Sequence, residues 1–385
     1  MPRKARLTAV VAAAAATFAM TAIAVADEAK LPSVLVWTAY GTGSSGNAQS
    51  VAIGNMLKNR YGTSLRVLPG KNDVSRMTPL RDGKADFCAC GIASFFGQEG
   101  AMLFAKPNWG PQPLRLLMTS IGSFGLGVAT AKDANIRTPA DLKGKRVAWV
   151  RAGDALNVGT TAYLAFGGLG WNDVKKVEFG GFTDSAKGLI NDQVDAAFMS
   201  TVTPYAKQLA ASPRGIRWPV LAHDDDAAWA RFLKVAPYFI RHKVTAGAGI
   251  SKDKPWEGSG YSYPILVTNA SYDARTVYAL VKALHVGYDD YKDAAPGAKG
   301  WAMSSQNFTW VMPYHKGAIR YFKEIGVWTD AMQAHNDRLL KRQAVLAEAW
   351  RGVKGSGLEG AAFKAAWMKA RSAALEKAGF DPIFK

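Results

Sequence analysis

Ser33-Val34-Leu35-Val36-Trp37-Thr38-Ala39-Tyr40 runs straight into Gly41-Thr42-Gly43-Ser44-Ser45-Gly46-Asn47, and the chain continues to Tyr61 with apolar residues at Val51, Ile53, Met56 and Leu57. The apolar run reads as a strand, the glycines as a tight loop and the spaced apolar positions as a helix. A strand ending in a glycine loop at a helix start aims unpaired N–H groups and the positive end of a helix dipole at one point. Such a point is a seat for an anion. Here it would be made by the N–H groups of Gly43 to Asn47 and the hydroxyls of Thr42, Ser44 and Ser45.

Outward from this unit, strand-like and helix-like runs alternate. Strands are expected at 34–38, 65–68, 85–89, 114–118, 125–130, 146–150, 177–179 and 196–199. Helices are expected at 47–60, 73–82, 157–167 and 184–191, with Asn72-Asp73 and Thr183-Asp184 as caps for two of them. This is the pattern of α/β units around a mostly parallel sheet. The strand–loop–helix order of 34–60 returns at 146–167, so two similar lobes are expected to face each other across a cleft. The segment 205–262 is rich in Pro, Gly and Trp and weakly periodic; 263–268 reads as a strand that returns the chain, and 273–288 as a helix. Beyond Thr329 come long helices, one with a stripe of Met332, Leu339, Leu346 and Trp350. After the break at Gly355-Ser356-Gly357 a second carries Phe363, Trp367, Ala370 and Ala374. The expected division is a signal peptide at 1–26, a first lobe at 27–125 and 263–328, a second at 126–262, and a helical C-terminal extension at 329–385.

The leader is basic at Arg3, Lys4 and Arg6, apolar from Leu7 to about Ala22, and closes on Ala24-Val25-Ala26, a small-x-small cleavage pattern. It predicts export to the periplasm. The formal charge is +18, which by itself suggests nucleic acid. Export and the scattering of the basic residues favour a field that gathers small anions instead. Cys88 and Cys90 would face the same side of a strand; they read as buried apolar thiols, with a strained bridge as the alternative.

No catalytic constellation emerges. Gly41 to Gly46 matches the dinucleotide fingerprint G-x-G-x-x-G, but no acidic residue follows near Arg66-Val67-Leu68-Pro69 to hold a ribose. Asn47-Ala48 stands where a P-loop needs Lys and Ser or Thr, so phosphoryl chemistry is excluded. Ser44 and Ser45 are not in a G-x-S-x-G elbow. His223, His242, His285, His315 and His335 are dispersed, and Asp224-Asp225-Asp226 reads as a solvated turn, not a calcium loop. No metal and no cofactor are expected.

Several ordered motifs resemble the extracytoplasmic solute receptors of TRAP transporters, in the TAXI branch, over roughly 33–328. They are the glycine loop, Leu80-Arg81-Asp82-Gly83-Lys84-Ala85-Asp86-Phe87, Asp141-Leu142-Lys143-Gly144-Lys145-Arg146-Val147, Asp192-Gln193-Val194-Asp195-Ala196-Ala197-Phe198, and Pro313-Tyr314-His315-Lys316-Gly317-Ala318-Ile319-Arg320-Tyr321-Phe322. The resemblance implies a type II periplasmic binding protein fold: two α/β lobes joined by hinge strands, here with a helical C-terminal extension. It implies a non-enzymatic, monomeric receptor that closes on a small organic anion and delivers it to integral-membrane TRAP permease subunits. The chain departs from the family where Ala152-Gly153-Asp154-Ala155-Leu156 replaces a "P-G-S-G-T" loop and where Gly91-Ile92-Ala93 replaces "Q-S-D". A sensor-partner protein or an enzyme on the same fold is the alternative.

Ligands of such folds sit at the C-terminal ends of strands, where helix starts point inward. The expected site is therefore Tyr40, Gly41, Thr42, Gly43, Ser44, Ser45, Gly46 and Asn47 from the first lobe. From the second it takes Trp149, Arg151, Gly153, Asp154, Ala155, Leu156, Asn157, Ser200 and Thr201. Arg151 is the candidate carboxylate clamp, with pairing to Asp154 as its structural alternative. Tyr40 and Trp149 would wall an apolar part of the ligand. Asp154 would repel a second ligand carboxylate, so a monocarboxylate is expected over a dicarboxylate.

Overall fold

The computed structural model describes residues 30–384; the expected leader lies outside the described residues. The first unit is β1 (Val34–Tyr40), α1 (Ser45–Tyr61), β2 (Ser64–Gly70), α2 (Asp73–Arg81), β3 (Phe87–Cys90), α3 (Ala93–Glu99) and β4 (Leu114–Thr119). The second comprises β5 (Leu126–Ala131), β6 (Arg146–Val150), α4 (Asp154–Phe166), β7 (Lys175–Phe179), α5 (Phe182–Ile190), β8 (Ala196–Ser200), α6 (Pro204–Ala211), β9 (Ile216–Arg217), α7 (Asp226–Val235), β10 (Ile240–Val244) and β11 (Trp256–Gly260). The chain then returns through β12 (Ile265–Asn269), α8 (Ala274–Val286), α9 (Tyr288–Tyr291) and α10 (Lys316–Glu324), and ends with α11 (Asp330–Lys354) and α12 (Gly360–Lys377).

Two five-stranded sheets result, ordered β2-β1-β3-β12-β4 and β7-β6-β8-β5-β9, with β10 and β11 as a separate antiparallel pair. β1 runs parallel to β2 and β3, and β6 parallel to β7 and β8. In each sheet the order reverses at one strand, β1 or β6, so the loops after β1 and β3, and after β6 and β8, flank a crevice. This is the two-lobed α/β fold expected from the sequence.

Local chemistry accounts for the elements. In α1, Ile53, Met56 and Leu57 are buried and Val51 is exposed, so Val51 does not join the apolar face it was assigned. Burying a side chain such as Ile53 contributes about 2 kcal/mol. Ser44 caps α1 by accepting from the Asn47 N–H, and Gly62 ends it in the left-handed region. Asn72 caps α2 in a reciprocal box with Ser75. The expected Thr183-Asp184 cap is displaced: α5 begins at Phe182 with Gly181 before it. The Phe182 N–H is taken by Lys71 C=O of the other lobe, which draws the first turn forward. The weakly periodic 205–262 segment holds helices as well, and Asp225 caps α7 through the Ala228 N–H. Cys88 and Cys90 are joined as a disulfide, which corrects the reading of free thiols. Their Cα atoms are 5.2 Å apart, a separation that bridging requires.

The last two helices pack on the first lobe. Leu346, Phe363, Trp367 and Leu375 form a small core with Ala105 and Phe380. Arg371 and Leu375, rather than Ala374, continue the buried face of α12.

Candidate functional site

The glycine loop lies against the second lobe. Tyr205 of α6 donates its hydroxyl to Thr42 C=O at 3.1 Å, and Thr203 donates to Gly43 C=O at 3.4 Å. Gly43 has φ +88°, and a Cβ there would lie 2.6 Å from the Tyr205 hydroxyl. Only glycine combines that backbone with that approach. Thr42 is exposed and contributes its carbonyl, not its hydroxyl, to the lobe contact.

A cavity of about 20 Å3 lies at the meeting of the lobes, lined by Tyr40, Ser44, Ser45, Tyr261 and Tyr263. Leu126, Leu156, Phe182, Phe198, Met199, Ser200 and Thr203 complete the wall. In this closed arrangement it has room for a water-sized group. No charged side chain lines it. Its serine and threonine hydroxyls come from Ser44 and Ser45 at the start of α1, from Ser200 at the end of β8 and from Thr203 before α6, where no side chain caps the helix. Tyr263 places its hydroxyl against Ser45 and the Gly46 N–H, and burial pushes its pKa up to about 12, so it stays protonated. Burial raises Tyr40 and Tyr261 as well.

Of the expected residues, Tyr40, Ser44, Ser45, Leu156 and Ser200 line the cavity. Gly41, Gly43 and Gly46 shape the loop behind them, Gly41 against Thr183 and Gly46 against Tyr263. Asn47 is turned to structure, donating to Tyr40 C=O at 3.1 Å. Asn157 bonds both the N–H and the C=O of Val150, tying α4 to β6. Thr201 accepts from the Gly125 N–H and donates to Ala246 C=O; it fastens the crossing between lobes instead of facing a ligand. Trp149 packs edge-on to Trp171 with Lys176 over its ring. Arg151 is exposed, its N–H bonded to Phe179 C=O. Neither lines the cavity: Trp149 lies within β6, Arg151 in the turn after it, and no residue of β6 reaches the cavity wall. Gly153 precedes α4, where a Cβ would press on Val150.

Asp154 and Ala155 serve the lobe interface. The Ala155 N–H donates to the carboxylate of Asp73 at 2.7 Å, and Asp154 accepts from the Leu103 N–H at 2.9 Å. Asp154 does not line the cavity. Asp73 also pairs with Arg76, whose guanidinium carbon lies 3.4 Å from the Tyr40 ring centroid. Both side chains are 1 % exposed. Sequence reasoning missed Asp73, Arg76, Tyr205, Tyr261 and Tyr263. The i, i+3 spacing of Asp73 and Arg76 signals a helix-surface pair, but nothing local signals its burial.

Among the described residues, no helix is long and apolar enough to cross a membrane. Structures similar to this chain include a protein from Bordetella bronchiseptica RB50 at 17% identity and TM-score 0.46, covering 92% of this chain and 91% of that one. The alkanesulfonate-binding protein SsuA of Xanthomonas axonopodis pv. citri, bound to MOPS, has 14% identity and TM-score 0.42, with 84% and 93% covered. The periplasmic aliphatic sulphonate binding protein SsuA of Escherichia coli has 15% identity and TM-score 0.41, with 91% and 89% covered. By sequence, residues 71–326 match the NMT1-like family, and the chain belongs to that family.

Proposed function

We propose that this protein is a periplasmic solute receptor that closes its lobes on a small organic anion and delivers it to an integral-membrane permease of the TRAP type. The carrying observation is the polar side of the cavity: hydroxyls of Ser44 and Ser45 at the start of α1, and from the opposite lobe those of Ser200 at the end of β8 and of Thr203 before α6, the last of which donates to Gly43 C=O until loop 41–47 moves away. Hydroxyls and helix N-termini stabilise an anion without a buried cation. A ligand held from both lobes links occupancy to closure. Since the closed cavity is small, a ligand larger than a water-sized group must hold loop 41–47 away from α5 and α6.

The opposite wall, Leu126, Leu156, Phe198 and Met199, suits an apolar body. A second carboxylate directed there would be buried without a partner, which costs several kcal/mol. The favoured ligand is a small monocarboxylate with an apolar far end. The reason is this wall, since Asp154 does not line the cavity.

Native mass spectrometry of the purified protein, followed by a thermal-shift screen of mono- and dicarboxylates, tests this reading. A ligand at a hundred times its Kd should stabilise the fold by about 2.7 kcal/mol. Tightest binding by a plain dicarboxylate, or turnover of the bound acid, would overturn it. Neighbouring genes for a large and a small integral-membrane permease subunit would support the partner; an adjacent histidine kinase gene would favour a sensing role.

A further inference from the structure

Asp73 and Asp154 each begin a helix, α2 in one lobe and α4 in the other. Each carboxylate crosses the interface. Asp73 accepts from Ala155 in the first turn of α4, and Asp154 accepts from Leu103, which follows α3. The Asp73 N–H in turn donates to Ala152 C=O at 3.0 Å. The start of α4, a place where a receptor of this shape would hold a ligand anion, is therefore occupied by the protein's own carboxylate.

We propose that Asp73 and Asp154 are reciprocal latches that close the two lobes on each other, and that the Asp154 latch makes closure depend on pH. The proposal rests on closure of the lobes and not on the nature of the ligand, so its failure would leave the anion reading standing.

The charges around the pair explain the dependence. Asp73 faces Arg76, its ion-pair partner, together with the hydroxyls of Tyr40, Tyr238 and Tyr261. Asp154 faces Asp73 and the hydroxyl of Tyr238, with Lys364 from α12 and Lys106 from the first lobe as its cations. Arg76 pairs with Asp73, and the cations acting on Asp154 are Lys364 and Lys106. Burial, and then the Asp73 charge, push Asp154 up to about 6. Burial also raises Asp73, against the pull of Arg76.

With the lobes apart, Asp154 returns to water and to an ordinary carboxyl pKa near ~4. The closed form then holds a proton that the open form releases. The Asp154 contribution to closure is complete below about pH 4 and is lost as pH rises through about 6. Two pKa units correspond to roughly a hundredfold change in the closing equilibrium. Partial contact of Asp154 with water reduces this to roughly tenfold.

Small-angle X-ray scattering of the full chain, stripped of ligand by unfolding and refolding, tests the proposal at pH 5 and pH 8. Wild-type protein should have the smaller radius of gyration at pH 5. Asp154→Asn keeps an acceptor for the Leu103 N–H and cannot titrate, so it should be equally compact at both values. Asp154→Ala, which lacks the acceptor, should be more extended than Asp154→Asn at both. A wild-type radius that does not change with pH, or an Asp154→Asn protein that expands at pH 8 as wild type does, would overturn the proposal.

Discussion

Arg342 grips Glu99 through two hydrogen bonds, Nε to Oε1 at 2.8 Å and Nη2 to Oε2 at 2.7 Å, across 243 residues of chain. Arg371 reaches the same carboxylate from α12, and Glu99 and Arg371 are wholly buried. The two guanidinium groups also bond the carbonyls of Asp381, Pro382 and Phe384, so one acid at the end of α3 gathers the C-terminal segment. Phe384 then packs on Phe95 and Phe96.

Glu99→Ala would leave two arginines without their anion in a site closed to water. The loss should be about 3–5 kcal/mol, the usual result of removing one partner from a buried charge group. Denaturant unfolding measures it, and limited proteolysis should release α11 and α12 first. A change below about 1 kcal/mol would show that Glu99 does not anchor the extension.

Gly43→Val with Ser45→Ala attacks the first-lobe loop. The valine would strain a backbone at φ +88° and press on Tyr205, and the alanine removes a hydroxyl from the cavity wall. Affinity for the native ligand should fall by about 1–3 kcal/mol in titration calorimetry. Arg151→Ala, by contrast, alters an exposed side chain outside the cavity and should change affinity by less than about 0.5 kcal/mol. The opposite ranking would restore Arg151 as the clamp.

His315 caps α10 by accepting from the Gly317 N–H at 3.1 Å, a role that needs an unprotonated ring nitrogen. Burial, with Arg115 and Lys316 nearby, lowers its pKa to about 4. Below pH 6.5 the unfolded chain takes up a proton that the folded chain refuses, so stability falls as pH drops toward 4. The loss should reach about 2–3 kcal/mol. His315→Asn can still cap and does not titrate, so its stability should be flatter between pH 7.5 and 4.5. Equal slopes for both proteins in denaturant titrations would clear His315 of this effect.

The strands were the most legible part of this chain. The run at 146–150 coincides with β6, because it is short, rich in β-branched and aromatic residues and followed at once by a glycine-containing turn. Val51 and Thr183 were misread for the opposite reason. Val51 lies on the outer side of α1, and the start of α5 is set by a carbonyl of Lys71 in the other lobe. Helices α6 and α7 were hidden because their apolar residues pack among Trp and Phe side chains from distant segments, such as Trp229 against Phe166.

In the site, Ser44, Ser45 and Tyr40 could be read locally, since a strand, a glycine loop and a helix start are consecutive in the chain. Arg151 looked equally local, yet it sits in the turn after β6, and which residues of a turn face the other lobe depends on how the lobes pack. Asp73, Arg76 and Tyr205 had no legible role, because each acts on a partner far along the chain.

Taken alone, the sequence determined the alternation of strands and helices, the glycine turn at Gly43 and the helix stripes beyond Thr329, all consequences of backbone geometry and side-chain periodicity over a few residues. Tertiary structure decided which polar groups meet: the carboxylate of Asp73 on the Ala155 N–H, Arg76 over Tyr40, and Glu99 between Arg342 and Arg371. Burial of a charge is tolerable only beside its partner, and partners separated by tens or hundreds of residues are brought together only when the lobes pack.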